Sequence, residues 1–214
     1  PPPRPSLARM IRSGRGRPSA AVCCLSLLAC AVSDPAVTIA DDVSTVAIAS
    51  WSTGGPARTR IEVDQADEPW LTSDWQEGGL GLSVPLVGLW ADTEYSARAV
   101  TEDGDESADV PFTTGSLPAT IPGYSVAGTP GWEGYMLLGL VSDPSAVVIL
   151  DEAGRIVWYH LGKKGLRALR VRPLPDGSGV RYASIEAVAV PQKSELVSVD
   201  WAGNTVRSLA LPLF

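Results

Sequence analysis

The stretches "LDEAGRIVWYH" (Leu150–His160) and "VDWAGNTVRSL" (Val199–Leu209) decide how this chain is read. Each runs apolar residue, Asp, two residues, Gly, then strand formers, and Asp151 and Asp200 stand 49 residues apart. Short runs of strand formers flank both turns: 146–150 and 155–160 in the first copy, 195–199 and 204–209 in the second. Gly154 and Gly203 suit the positive φ that closes such a hairpin, and Asp151 and Asp200 can cap it through their side chains. Between the copies, "RVRPLPDGSGVRYASIEAV" offers another hairpin turning at Asp176-Gly177. Four strands per 49 residues is the period of a propeller blade, a four-stranded sheet. Fewer than four blades cannot close a ring, and residues 117–214 hold barely two. The expectation is therefore the start of an incomplete β-propeller within the N-terminal part of a longer protein.

Upstream, "TVAIASW" (45–51), "RTRIEVD" (58–64) and "TEYSARAV" (93–100) are rich in β-branched and aromatic residues. The turn-forming stretches "STGGPA", "DQADEP" and "TEDGDESAD" separate them, which suggests a β-sandwich over residues 34–116. This segment resembles a fibronectin type III domain. Trp51 ends an early strand where that family keeps a core Trp, and "LWADTEYSARAV" resembles its Leu-x-Pro-x-Thr-x-Tyr stretch, with Ala91 where Pro is usual. The resemblance implies that Tyr95 is a tyrosine-corner residue bonded back to nearby backbone. Trp51 and Tyr95 are expected in the core, not at a ligand. The fold class expected is all-β: a fibronectin III/Ig-like sandwich followed by the first one to two blades of a propeller.

Charge divides the chain at the same place. Residues 34–116 carry 16 acids against 3 bases, net −13, whereas residues 117–214 carry 8 acids against 9 bases, net +1. So acidic a first segment argues against nucleic acid or anionic lipid as its partner. Residues 1–30 read as a non-native extension plus a secretory leader: Met10, then Arg12, Arg15 and Arg17, then the apolar run "AAVCCLSLLAC". That run falls short of the about 20 residues that span a bilayer. It ends in Leu27-Leu28-Ala29-Cys30, which resembles the lipobox of bacterial lipoproteins. The resemblance makes Cys30 the lipidation site, anchoring an exported protein to membrane lipid in the bacterial envelope. Cys23, Cys24 and Cys30 all fall in this leader, so no disulfide framework and no Cys metal site is expected beyond it.

The ordering of leader, small sandwich and blades, with "GYMLLGL", "VVILDEAGRIVWYH" and "LVSVDWAGNTVRSL" in sequence, resembles bacterial propeller-type arylsulfotransferases. Membership would imply sulfuryl transfer between phenols, without a nucleotide donor or other cofactor, through a propeller histidine that carries the sulfate. The physical logic is covalent catalysis with cationic stabilisation of the transferring group. In that family the histidine-bearing stretches lie in later blades, and this chain has a single histidine, His160. With no second histidine to assist it, His160 is read as an ordinary strand-end residue, and no catalytic residue is assigned. Within "KKGLRALRVR", Lys163, Lys164 and Arg167 are candidate anion contacts for a phenolic sulfate, although a solvated face is the commoner meaning of such a run. Two other readings stay open: an envelope binding or scaffold lipoprotein, and a quinoprotein-type propeller, which Asp151-x-x-Gly154-x-x-x-Trp158 resembles faintly.

Overall fold

A computed structural model describes residues 32–125, 127, 133–186 and 193–211. Cys30 and the rest of the expected leader, residues 1–30, lie outside the described residues. Among those described there are fourteen strands and no helix, arranged as four antiparallel sheets. The chain is all-β.

Seven strands build the first half: β1 (Ala36–Ile39), β2 (Ala47–Trp51), β3 (Thr59–Gln65), β4 (Glu68–Thr72), β5 (Leu82–Leu86), β6 (Glu94–Thr101) and β7 (Val110–Thr113). They form a three-stranded sheet in the order β1-β2-β5 and a four-stranded sheet in the order β4-β3-β6-β7. Burial alternates residue by residue along β2 and β3, as a strand with one face on a core requires. Ala47, Ala49 and Trp51 from β2, Leu86 from β5, Ile61 and Val63 from β3, and Tyr95, Ala97 and Ala99 from β6 meet in one apolar cluster between the sheets. Trp51 satisfies its indole N–H by donating to Thr59 Oγ1 at 3.2 Å. The Tyr95 hydroxyl accepts the backbone N–H of Trp90 at 2.8 Å, five residues upstream.

The second half contains β8 (Met136–Leu140), β9 (Ala146–Leu150), β10 (Ile156–Leu161), β11 (Leu166–Pro173), β12 (Gly179–Glu186), β13 (Ser194–Asp200) and β14 (Thr205–Ala210). Two antiparallel meanders result, β8-β9-β10 and β11-β12-β13-β14. The repeated phrase supplies the last hairpin of each, β9–β10 and β13–β14. Gly154 and Gly203 take φ of +78° and +94° there. Asp151 Oδ1 accepts the N–H groups of Ala153 and Arg155, and Asp200 Oδ1 accepts that of Asn204. The meanders meet face to face. Where they approach most closely, at Gly139, an added Cβ would stand 2.7 Å from the Ala168 carbonyl oxygen, so only glycine fits without a shift.

One face of the β11–β14 sheet is buried against β8–β10. Val180, Tyr182, Val197 and Val199 share a core there with Val147, Val148, Val157 and the fully buried Trp158, whose Nε1–H donates to the Trp201 carbonyl at 2.9 Å. The same core takes in the β1–β2 loop of the first half. Ala40, Val43 and Val46 belong to it, with Val43 and Val46 wholly buried. The Tyr159 hydroxyl accepts the Ser44 N–H at 2.8 Å and donates to Ser44 Oγ at 2.9 Å. The two halves, so unlike in charge, are thus joined by apolar packing, by the Tyr159–Ser44 hydroxyls and by the Trp90 indole, which meets Asp151 and Arg155.

Trp158 is the largest side chain among the fully buried ones, and its loss leaves a cavity between the meanders. Trp158→Ala is expected to cost about 3–5 kcal/mol, read as a lowered urea midpoint. Val206→Ala, on the exposed β14, should stay within about 0.5 kcal/mol of the parent.

Candidate functional site

The one cleft that gathers polar and titratable side chains around the lone imidazole lies between the end of β10 and the sheet β12-β13-β14. It encloses about 180 Å³ and is lined by His160 and Lys163 on one side and Tyr182, Ser184, Glu195 and Ser208 on the other. His160 enters because β10 continues one turn of the pleat past the buried Trp158. Its ring stacks on that indole, with centroids 6.4 Å apart and planes at 19°, and tilts against Tyr182 at 5.8 Å.

Electrostatics fix the protonation states here. Burial pushes the His160 imidazole below its ordinary value of 6.5, against the opposing pull of Asp42, the Gly203 backbone and Asp200. Burial, reinforced by the Glu195 carboxylate, pushes the Tyr182 phenol up to about 12. Glu195 is held below the usual carboxylate range by hydrogen bonds from Lys163 and Ser208. Its Oε2 stands 3.0 Å from Lys163 Nζ and accepts the Ser208 hydroxyl at 2.9 Å. At neutral pH the cleft therefore holds a neutral imidazole, a neutral phenol and a compensated ion pair.

That arrangement is poorly suited to group transfer. A histidine nucleophile needs a partner to orient it and a cation to take up charge on the transferring group. The chain has no second histidine. Lys163, the cation in the cleft, is already spent on Glu195. Among the described residues, no group of three or more His, Cys, Asp or Glu is placed to hold a metal ion.

The candidate anion contacts Lys163, Lys164 and Arg167 are not brought together. Lys163 faces the His160 cleft, Lys164 lies exposed in the β10–β11 turn, and Arg167 pairs with Ile185 on the opposite face of the β11–β14 sheet. Trp51 and Tyr95 are core residues of the sandwich, each 3% exposed, and line up with no catalytic group. Asp151 has a second role: its Oδ2 accepts the indole N–H of Trp90 at 2.9 Å, tying the β9–β10 turn to the first half. Gly203 sits so close to the β1–β2 loop that an added Cβ would come within 2.7 Å of Val43 and 2.8 Å of Asp42.

Sequence reasoning passed over Tyr182, Glu195 and Ser208, whose convergence depends on the β12-β13-β14 register. It also passed over Trp90, which lies in the β5–β6 connection. No protein-family model matches the chain, and no curated protein matches it.

The buried imidazole gives a test of the cleft. In the unfolded chain His160 takes up a proton as the pH falls through 6.5, while the folded state resists it. Folding stability is then full above that pH and is lost progressively below it, towards the folded value. Melting temperatures followed from neutral to about pH 5.5 should fall more steeply for the parent than for His160→Asn. Equal slopes would mean that the imidazole is not held neutral by its surroundings.

Proposed function

We propose that the chain is the N-terminal part of an exported, lipid-anchored protein of the propeller-type arylsulfotransferase kind, and that this part braces the protein and is not itself catalytic. In this reading the first half is the fibronectin III-like domain, the two meanders are the opening blades, and Cys30 carries the lipid.

The observation that carries the reading is the second face of the β11–β14 sheet. In-register pairing lines up Leu169, Ala183, Leu196 and Leu209 across the four strands. Opposite residues in an antiparallel ladder share a face, so these four form an apolar row on the side turned away from β8–β10. Leu169 and Leu209 are 36% and 47% exposed. An exposed apolar row flanked by Arg167, Arg181 and Arg207, on a sheet whose other face is a core, fits a layer that a further sheet partly covers, as neighbouring blades of a ring do. Further support comes from the sandwich topology with its Tyr95–Trp90 bond, and from a lone histidine without catalytic partners. Sulfuryl transfer between phenols would then be carried by a histidine on other blades of the full protein.

The test compares two proteins. The purified 214-residue chain should transfer no sulfuryl group from p-nitrophenyl sulfate to phenol, whereas the protein carrying further Asp-x-x-Gly hairpins beyond it should. Turnover by the short chain overturns the non-catalytic reading. Inactivity of both favours the envelope scaffold. For the anchor, mass spectrometry of the protein expressed in a bacterial envelope should find a lipidated Cys30 at the mature N-terminus, and a product that retains Met10 refutes it.

A further inference from the structure

A second cavity lies where the first half meets the β9–β10 turn. It encloses about 440 Å³, within the range of small-molecule sites, and its walls include Trp70, Trp90, Tyr135, Asp151 and Glu152. Trp70 comes from β4, Trp90 from the β5–β6 connection, Tyr135 from the residue before β8, and the two carboxylates from the turn of the first repeat. Trp70 and Trp90 meet edge to face, with centroids 4.4 Å apart and planes at 71°. Tyr135 is 66% exposed, and its hydroxyl lies 2.9 Å from where a Cβ at Gly88 would stand. Gly88 has φ of +105°, so both backbone and space there call for glycine.

The polar character of this cavity is one-sided. Both indole N–H groups are consumed internally, that of Trp70 by the Gly88 carbonyl at 3.2 Å and that of Trp90 by Asp151 Oδ2. What remains for a ligand is aromatic surface and acceptors. The exposed Glu152 carboxylate has no hydrogen bond or ion pair among the described residues, and no cationic side chain lines the cavity. One face of Trp90 already carries a cation, the Arg155 guanidinium 3.6 Å from its ring centroid, which leaves Trp70, Tyr135 and the remaining surface of Trp90 to a ligand. Rings with a quadrupole negative on their faces, beside the unpaired Glu152 carboxylate and with both indole N–H groups consumed, reject anions and favour a positive, weakly hydrated group.

We propose that the Trp70–Trp90–Tyr135 cavity, closed on one side by Glu152, is a binding site for a methylated organic ammonium ion. The site spans both halves of the molecule and stands independently of the sulfuryl-transfer reading, since neither its residues nor its ligand belong to that chemistry.

Choline titrated into the 214-residue chain, followed by tryptophan fluorescence, is expected to bind saturably. Its uncharged isostere 3,3-dimethyl-1-butanol should bind at least about tenfold more weakly, because it keeps the shape and loses the cation–π and carboxylate terms. Glu152→Gln and Tyr135→Ala should each weaken choline by about tenfold. Both residues are exposed, so the variants should melt with the parent. Equal binding of the neutral alcohol, absence of saturation, or variants that bind as the parent would each overturn the proposal. Phosphatidylcholine vesicles distinguish the source. Binding of free choline without vesicle association assigns a soluble ammonium, and vesicle association competed away by choline assigns a lipid headgroup. Vesicle association that choline cannot displace overturns the site.

Discussion

The architecture depends on a short loop buried in a core that is not its own. Between β1 and β2 the chain leaves the sandwich, places Val43 and Val46 among Val147, Trp158 and Val199, and returns. Two buried valines are worth roughly 1.5–3 kcal/mol each by transfer, and the Tyr159–Ser44 pair fixes their depth. Among the described residues no salt bridge crosses between the halves, which suits their charges. The first half repels itself, and an interface built on ion pairs would weaken with salt. Apolar packing with a shared tyrosine hydroxyl does not. The acids of the first half are instead managed locally, as where Arg98 bonds both Glu62 and Asp64 on the outer face of β3 and β6.

The same core sets the place and the neutral state of His160. Its ring lies over Trp158, whose position is set by packing between the meanders, and next to Gly203, which the β1–β2 loop touches. Its neutral state follows from burial, and burial is what the junction demands.

Much of this was legible in the sequence, and the boundary is physical. The hairpins at Asp151 and Asp200 were readable because turn chemistry is local: an Asp side chain reaching backbone N–H groups two to four residues on and a glycine at positive φ need no distant partner. Strands β2, β3 and β6 were readable from β-branched runs. Strands β1, β4 and β5 were not, since "AVTI", "EPWLT" and "LSVPL" are short, edge-like or interrupted by proline. They are strands because their neighbours pair with them. Candidate sites fared worse. Lys163 and Arg167 are close in sequence, but the turn between β10 and β11 sends them to opposite faces of one sheet. Glu195 and Ser208 reach the His160 cleft, and Glu152 reaches Trp70, only through pairings distant in sequence.

The arginines show where anion chemistry could and could not lie. Arg167, Arg172, Arg181 and Arg207 fall on the same face of the β11–β14 sheet as the Leu169–Leu209 row, as their register partners require. Glu195 lies on the other face with Ser184 and Ala210, whereas Asp200, opposite Gly179 at the strand end, falls on this one. The Arg181 Nε–H donates to Ser198 Oγ at 3.2 Å. Asp176, in the β11–β12 turn, supplies part of the counter-charge to Arg181, and a mainly positive strip beside apolar surface leaves the rest of the balance to water or an anionic partner. The opposite face has its single lysine neutralised and its histidine uncharged. Positive side chains of this chain therefore gather on the arginine face and not in the cleft that holds the only imidazole.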